Sequence, residues 1–274
     1  MCLQELLCLL QTAHLSSTQP PQSLERSCLL ATAQQAFIGG IQHHQQQQFE
    51  QALGNFEVAL HKYTQAQDGI GIGKTLNQLS AVYLQTQNYS RSLTCSQAAI
   101  AILEATPNQP DYALATYQLG ISHLKRQEFD SAEPPLDEAL SLYYEMGDML
   151  SENRVLLHLG QLYAERHEYM FALAAYESVL ENMVNLAAQP PVQSVLFDVL
   201  RSLWQLCEAT NCAEEARGLY QAVLEHYGTA VNSAPFAQVL RQLGKFYESQ
   251  QRYTLALDCY KQALEIAPPD SLSA

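Results

Sequence analysis

Two adjacent histidines, His43 and His44, are the first residues of the chain whose chemistry could serve a metal ion. They lie in the stretch GGIQHHQQQQFEQALGNF, beside four consecutive glutamines. Neighbouring positions on a helix diverge by about 100°, so the two imidazoles cannot reach one ion, and no Glu-x-x-His or His-x-x-x-His partner lies nearby. We interpret His43 as a packing residue, and we predict no metal site and no cofactor.

The segment GIGIGKT at 69–75 resembles a phosphate-binding loop at first sight. Such a loop needs the spacing G-x-x-x-x-G-K-[ST] after a strand, because its backbone N–H groups must surround the phosphates. Five residues before Gly73 stands Asp68 instead of glycine, and no strand pattern precedes it. We interpret Gly69 and Gly71 as part of a loop leading into a helix, and we predict no nucleotide site.

The cysteines and histidines carry no pattern of a catalytic site. The seven cysteines are odd in number and contain no C-x-x-C pair, so neither a disulfide framework nor a zinc site is indicated. No nucleophile elbow, H-E-x-x-H motif or kinase signature is present. The sequence predicts a protein that is not an enzyme, with reduced thiols in the cytoplasm.

Composition favours a helical protein that does not bind nucleic acid. Of the 274 residues 47% are apolar and 15% charged, and runs rich in Val, Ile and Thr are hard to find. The formal charge of −14 disfavours partners with phosphate backbones and anionic membrane surfaces. No run approaches the roughly 18 apolar residues of a membrane span, so no membrane insertion is expected.

The N-terminal stretch MCLQELLCLLQTAH is apolar. It has no Lys or Arg before the apolar run and no small-residue cleavage site, as a secretory signal would have. We expect residues 1–32 to form a helical cap.

A repeat of about forty residues organises the rest of the chain. Small residues recur at intervals of 40, with one interval of 44 that brings in a tryptophan; the positions are Gly40, Ser80, Gly120, Gly160, Trp204 and Gly244. Within a unit, apolar residues recur at steps of three and four, which predicts two amphipathic helices joined by a short polar turn. Small residues at this spacing let the two backbones approach, so we place the helix crossing there.

The last unit, VLRQLGKFYESQQRYTLALDCYKQALEIAPP, resembles the tetratricopeptide repeat in its spacing of Leu, Gly, Tyr and Ala. The resemblance covers about 33–270, and the 40-residue period is similar to the longer-repeat subclass of Pins-type adaptors and bacterial signalling proteins. It implies an all-α, right-handed superhelix of six helical hairpins after the N-terminal cap. The expected hairpins are 33–66, 73–106, 113–146, 153–186, 197–230 and 237–270, with a tail at 271–274.

Two places depart from the family's pattern. Trp204 occupies a position that favours glycine, so we expect the fifth hairpin to be splayed or locally shifted in register. Pro134 and Pro135 fall early in the second helix of the third unit, where proline is tolerated only near a helix start. We expect that helix to begin late or to bend.

In the family that the repeats resemble, the first helix of each hairpin lines a concave groove that holds ligand peptides. Spacing transfers this rule to Gln34, Phe37, Ile41, Lys74, Asn77, Ala81, Leu84, Leu114, Tyr117, Ile121, Leu124, Lys125, Arg154, Leu157, Gln161, Asp198, Arg201, Gln205, Gln238, Arg241 and Lys245. Six of the chain's 14 basic residues fall in this set, against one acid.

The first half of the groove is apolar and the later half cationic, which predicts a ligand with apolar and acidic residues. We expect a non-enzymatic adaptor or assembly scaffold whose partner is another protein or peptide. The alternative is a sensor whose groove binds a peptide or metabolite and controls a partner protein. The abundant Gln and scarce Lys look bacterial.

Overall fold

The computed structural model describes residues 23–104, 109–185, 190–209, 218, 234–249 and 251–266. Within these residues every regular element is a helix and there is no strand, so the predicted all-α class is confirmed. The helices are α1 (Ser23–Gln45), α2 (Phe49–Gln65), α3 (Gly69–Gln85), α4 (Tyr89–Leu103), α5 (Gln109–Lys125), α6 (Phe129–Met146), α7 (Met149–Glu165), α8 (Tyr169–Asn185), α9 (Pro190–Ala209), α10 (Ala234–Ser249) and α11 (Tyr253–Ile266).

Consecutive helices pack as hairpins, as the repeat predicts. The pairs are α1 with α2, α3 with α4, α5 with α6, α7 with α8, and α10 with α11. Helix α9 is the first helix of the remaining repeat, and the expected second helix of that repeat lies outside the described residues. The side chain of Trp204 also lies outside them, so the expected splaying stays a prediction.

The chain divides into two compact units, Met1–Glu145 and Met146–Ala274. Unit 1 has a core that runs from Ala52 and Phe56 to Leu103 and Ala115. Unit 2 has its own core of buried side chains between Leu157 and Ala263. Each unit therefore buries apolar surface between neighbouring helices, as solenoid repeats do.

The same backbone turn joins the two helices of each of the five described hairpins. A non-glycine residue takes a positive φ at its centre, and the next N–H donates to a carbonyl five residues back, as when Asn88 N donates to Tyr83 O at 2.8 Å. The central residues are Gln47, Gln87, Gln127, His167 and Gln251, with φ between 59° and 62°. The turn leaves three residues between the last residue of the first helix and the first residue of the second.

The glycines of the repeat lie at the helix crossings. A Cβ placed on Gly40 would stand 2.5 Å from a ring carbon of Phe56, and one on Gly160 would stand 2.3 Å from the ring of Tyr176. The other described crossings have the same close approach, with Gly120 against Leu136 and Gly244 against Tyr260. The glycine thus makes room for a large side chain sixteen positions later on the second helix.

In the second hairpin a chain of serine hydroxyls replaces this contact. Ser80 Oγ lies 2.8 Å from both Ser92 Oγ and Ser96 Oγ, and Ser92 Oγ lies 2.8 Å from Ser122 Oγ. Ser122 Oγ donates to Gln118 O at 2.7 Å. All four side chains are buried. Each hydroxyl has one proton, so the donors run from Ser96 to Ser80, Ser92, Ser122 and the carbonyl, and each proton is used once.

The glycines of GIGIGKT lie inside α3, so the expectation of a loop there is wrong. Helix α3 begins at Gly69 directly after Asp68. A Cβ on Gly71 would stand 2.4 Å from a ring carbon of Tyr63, and one on Gly73 would stand 2.5 Å from Leu103 Cγ. These glycines let α3 approach its neighbours, which explains them without a phosphate ligand.

Helix α6 begins at Phe129 and contains both Pro134 and Pro135. The expected late start of this helix is therefore wrong, and the alternative, a bend, stays a prediction. The helix instead begins with the common turn, in which Ala132 N donates to Glu128 O at 3.0 Å.

Residues 1–22 of the expected cap lie outside the described residues, so the cap stays a prediction. Residues 23–32 belong to the continuous helix α1, which extends past the expected boundary at 32/33. No helix among the described residues is long and apolar enough to cross a membrane.

Candidate partner-binding faces

The first helices of neighbouring hairpins lie side by side in each unit. In unit 1, α3 packs against α1 and α5. We define the unit-1 face as the predicted groove residues of these helices: Gln34, Phe37, Ile41, Lys74, Asn77, Ala81, Leu84, Leu114, Tyr117, Ile121, Leu124 and Lys125.

The apolar residues of the unit-1 face are supported from beneath by aromatic contacts. Phe37 is half-buried, with its ring centroid 5.8 Å from that of Phe56. Tyr117 is half-buried and meets Tyr143 edge-on at 6.5 Å. Of the remaining apolar positions Ile41, Ala81, Leu84 and Leu114 are half-buried, whereas Ile121 and Leu124 are buried. The face is therefore apolar, with part of its surface already used in packing.

Asn77 does not present its side chain to a ligand. It is 1% exposed, and its Nδ2 donates to Asp111 O at 2.9 Å, which joins α3 to α5. Lys74, half exposed at 48%, reaches the Asp111 carboxylate at 3.8 Å. The two polar residues predicted for this helix therefore both engage Asp111. Only Lys74 keeps an accessible charge.

Lys125 lies exposed at the end of α5, beside a set of turn contacts. Glu128 accepts from Arg126 at 2.9 Å and lies 2.7 Å from His123 Nδ1. The hydrogen bonds from His123 and Arg126 lower the pKa of the Glu128 carboxyl. Arg126 also donates to Ser90 Oγ at 2.9 Å, which ties this turn to the hairpin before it. Lys125 is thus an exposed cation on a braced turn.

In unit 2, helix α9 packs against α7 and α10. We define the unit-2 face as the predicted groove residues of these three helices: Arg154, Leu157, Gln161, Asp198, Arg201, Gln205, Gln238, Arg241 and Lys245. Leu157 is buried and belongs to the core. Arg154 and Lys245 are exposed, and Arg241 is half-buried.

Arg201 is held in place by two neighbours on α9. Its Nη2 lies 2.9 Å from Asp198 Oδ1, and its guanidinium lies 5.7 Å from the centroid of the Phe197 ring. Burial raises the pKa of the Asp198 carboxyl, and Arg201 offsets part of that rise. The one acid of the unit-2 face is thus matched by an adjacent cation, while Arg154 and Lys245 face solvent.

Asp111 and Phe197 position the predicted residues, and the sequence argument missed both. Asp111 lies in the first turn of α5 and anchors Lys74 and Asn77. An acid at this place is usual for a helix N-terminus, so its sequence signal is indistinguishable from a capping preference. Phe197 precedes Asp198 in a run that reads as ordinary core.

The two adjacent histidines have hydrogen-bond partners, and the thiol of Cys95 is buried. His43 Nδ1 lies 2.6 Å from Gln48 Oε1, and His44 Nε2 lies 2.8 Å from Gln85 Oε1. Burial raises the pKa of the Cys95 thiol to about 12, so it is not a thiolate at neutral pH. Among the described residues no group of three or more His, Cys, Asp or Glu is placed to hold a metal ion.

The family comparison agrees with this geometry. Tetratricopeptide repeat models match residues 71–145 and 237–270. The matched segments of the chain are similar to tetratricopeptide repeats. The first match spans most of α3 to α6, and the second spans α10 and α11. No curated protein sequence matches the chain at a significant level.

Solved structures of low sequence identity share the fold of this chain. BtubC (BKLC) from P. vanneervenii is 15% identical with a TM-score of 0.55, over 89% of this chain and 82% of BtubC. Apo RapI is 13% identical with a TM-score of 0.59, over 89% of this chain and 66% of RapI. The Rap conjugation gene regulator of plasmid pLS20, in complex with the Phr* peptide, is 13% identical with a TM-score of 0.55, over 91% and 77%. The expected tetratricopeptide-type helical solenoid is thereby confirmed.

Proposed function

We propose that this chain is a non-enzymatic adaptor that binds a protein segment containing apolar and acidic residues. The exposed cations Arg154 and Lys245 on the unit-2 face, in a chain with a formal charge of −14, carry the proposal. The unit-1 face offers apolar contacts of its own.

The unit-2 face differs in charge from the chain that surrounds it. The chain has 28 acidic and 14 basic residues, yet this face has four cations and one acid. Since Asp198 is paired with Arg201, an approaching carboxylate meets net positive charge. Surplus acid elsewhere disfavours other binding surfaces for an acidic segment, so charge would select both the ligand and the face.

The unit-1 face offers half-buried apolar side chains in neighbouring helices. Phe37, Leu84 and Tyr117 lie on three adjacent first helices and keep part of their surface accessible. A bound segment that covers them gains from burial of apolar area without reorganising the core. Lys74 and Lys125 add charge at the border of this face and fit an acid beside the apolar residues.

A peptide ligand also agrees with the fold comparison, because the pLS20 Rap regulator has the same fold and was solved with a peptide. That complex supports the second candidate as well, a sensor whose bound peptide or metabolite controls a partner protein. We further infer the longer 40-residue repeat subclass, a bacterial origin and a cytoplasmic location. The free thiols of Cys28, Cys95 and Cys259 are compatible with a reducing compartment.

An array of peptides that vary in acidic and apolar content tests the proposal. We expect the wild-type chain to retain acidic peptides with apolar residues, and Arg154→Glu/Lys245→Glu to lose about tenfold or more in affinity for them, as for rim charges acting together. The matched control is Arg252→Glu/Lys261→Glu, which makes the same charge change on exposed residues of the last hairpin. An equal loss of affinity in both variants would show that acidic peptides do not bind at the unit-2 face. Undiminished capture of acidic peptides by Arg154→Glu/Lys245→Glu would show the same.

Small-angle scattering with and without a captured peptide separates the two candidates. Compaction on peptide binding favours the sensor. Unchanged scattering favours the adaptor.

A further inference from the structure

Junctions between repeats pair a second helix with the first helix that follows it. Helix α2 packs on α3, α4 on α5, and α8 on α9. At the α2–α3 junction a Cβ built on Gly71 would stand 2.4 Å from a ring carbon of Tyr63. At the α4–α5 junction Ser122 Oγ lies 2.8 Å from Ser92 Oγ. The side of a first helix that meets the preceding second helix therefore runs from the repeat position of Gly71 to that of Ser122.

Helix α1 exposes this side. Among the described residues no second helix precedes α1, and the register equivalents of the two contact residues are Ala31 and Gln42. We define the α1 edge as these two residues and the two that lie between them at helical steps, Gln35 and Ile38. All four are exposed and line one cavity of about 780 Å³. The equivalent residues of α3 and α5 are buried or half-buried: Gly71, Thr75, Gln78, Val82, Asp111, Ala115, Gln118 and Ser122.

Helix α11 exposes the opposite kind of edge, because no first helix follows it among the described residues. Leu60 of α2 and Leu180 of α8 are buried in cores that include side chains of the next first helix. Their register equivalent on α11 is Leu264, which is 52% exposed. Leu257 and Tyr253, at helical steps from it, are exposed as well. We define the α11 edge as these three residues of α11. Since the end of a repeat array normally has a polar outer face, this apolar edge indicates a surface that a further first helix covers.

The two edges fit each other in shape and in charge. Ala31 stands where Gly71 permits the close approach of a second helix, so α1 has a small residue at the point of contact. No charged residue stands between Arg26 and Gln42 of α1, and packing against Leu257 and Leu264 therefore buries no unpaired charge of α1. The chain itself thus contains the first helix that fits α11, and a second copy can supply it.

We propose that copies of this chain associate head to tail, with the α11 edge of one copy packed on the α1 edge of the next. The contact repeats the arrangement by which α3 follows α2, so one kind of junction serves within and between copies. A head-to-tail contact uses a different surface on each copy, unlike a two-fold contact. The inference goes beyond the proposed function, because the groove residues Phe37 and Ile41 lie on another side of α1. Associated copies present several partner-binding faces together, which raises the avidity for a multivalent partner.

Sedimentation velocity of the full-length chain tests the proposal, in reducing buffer because the Cys28 thiol is exposed. We expect a monomer at about 1 μM and larger species at about 100 μM, as for a small and weak interface. Ala31→Glu/Gln35→Glu changes the α1 edge, and Tyr253→Glu/Leu257→Glu changes the α11 edge; all four residues are exposed. Each variant alone should associate about tenfold or more weakly, because its carboxylates would be dehydrated in the contact.

A mixture of the two edge variants distinguishes a head-to-tail contact from a two-fold contact. Each variant keeps one intact edge, so the mixture should form a one-to-one complex that neither variant forms alone. Formation of that complex also shows that both variants are folded. The matched control is Met170→Glu/Ala174→Glu, which adds the same charges at exposed positions of the internal helix α8 and should associate like the wild type.

A wild-type chain that stays monomeric at about 100 μM would overturn the proposal, since even weak interfaces associate at that concentration. Loss of association in one edge variant but not in the other would assign a two-fold contact through a single edge, which contradicts it. Failure of the mixed variants to form the one-to-one complex, or an equal loss of association in the control, would contradict it as well.

Discussion

The same repeat positions carry different chemistry in the two units. In unit 1 they are mostly apolar, and two of the polar ones, Lys74 and Asn77, contact Asp111 within the unit. In unit 2 they carry four cations, of which Arg154 and Lys245 are exposed. The crossings differ as well, since unit 1 includes a serine chain and unit 2 has glycine under tyrosine at both described crossings.

This difference shows how one repeat can serve two purposes. The helix crossing sets the spacing of the first helices, and it needs only a close approach, through a glycine and a ring or through small serines. The exposed positions of those helices then vary without affecting the crossing.

The largest effect is expected at a crossing of unit 2. Gly160→Leu would place its Cβ 2.3 Å from the ring of Tyr176, a fully buried side chain. Overpacking of this kind should lower the free energy of unfolding of unit 2 by about 3 kcal/mol or more. Urea denaturation measures it. Gly54→Leu is the control, because a Cβ there has no neighbour within 4 Å, and an equal loss in that variant would show that the crossing is not special.

A smaller loss of stability is expected when the last serine of the hydrogen-bonded series in unit 1, Ser122, is replaced. Ser122→Ala leaves the buried Ser92 hydroxyl without an acceptor, which costs about 1–3 kcal/mol. Ser96→Ala removes only the first donor and should cost about 1 kcal/mol or less, since no proton loses its acceptor. Thermal or urea unfolding compares the two variants. A larger loss of stability in Ser96→Ala than in Ser122→Ala would show that the assigned direction of hydrogen-bond donation along the four serines is wrong.

On the unit-1 face, Leu84→Asp should weaken binding of apolar peptides about tenfold, which corresponds to about 1.4 kcal/mol. The half-buried side chain contributes apolar area to the face, and a carboxylate there would need to be dehydrated on binding. Fluorescence anisotropy measures the change. Val58→Asp makes a similar change at an exposed position of α2 and should leave the affinity unchanged.

The smallest effect is expected at Asp198. Its pKa is raised in the folded state, so its contribution to stability is complete below the pKa of the unfolded chain and is lost as the pH rises through the folded pKa. Asp198→Asn should therefore unfold at slightly higher denaturant than the wild type at pH 7, by less than about 1 kcal/mol after solvent screening.

At about pH 3 or below that difference should disappear, because the wild-type carboxyl is then protonated in both the folded and the unfolded state. The exposed Asp258→Asn serves as the control for a change in net charge. A lower stability of Asp198→Asn at pH 7 would mean that the ion pair with Arg201 outweighs the cost of burial.

The sequence predicts the fold well where contacts are local and periodic. The glycine column marks the crossings because only a residue without Cβ fits against Phe56 or Tyr176. Turn signals were weaker, since glutamine with positive φ occupies positions where glycine or asparagine is usual. The glycines of α3 predicted a loop because glycine is common in loops, but they allow close packing against Tyr63 and Leu103 inside the helix.

The candidate faces were predicted less completely. Spacing assigns a residue to a side of a helix, but burial depends on partners from the next repeat. Asn77 is buried because Asp111 offers its carbonyl 34 positions later, which no local pattern shows. Ile121 and Leu157, also expected in the groove, are buried by neighbouring side chains. Exposed cations such as Arg154 and Lys245 were easier to place, because long charged side chains stay at the surface.

A thermodynamic cycle on the unit-2 face tests the central claim most directly. Isothermal titration compares the wild type and Arg154→Glu/Lys245→Glu, each with a captured acidic peptide and with the same peptide carrying Asn and Gln in place of its acids. We predict that the charge reversal weakens the acidic peptide about tenfold or more and leaves the neutral one nearly unchanged, a coupling of about 1.4 kcal/mol or more. Equal losses for both peptides, and hence no coupling, would contradict recognition of acidic residues by this face.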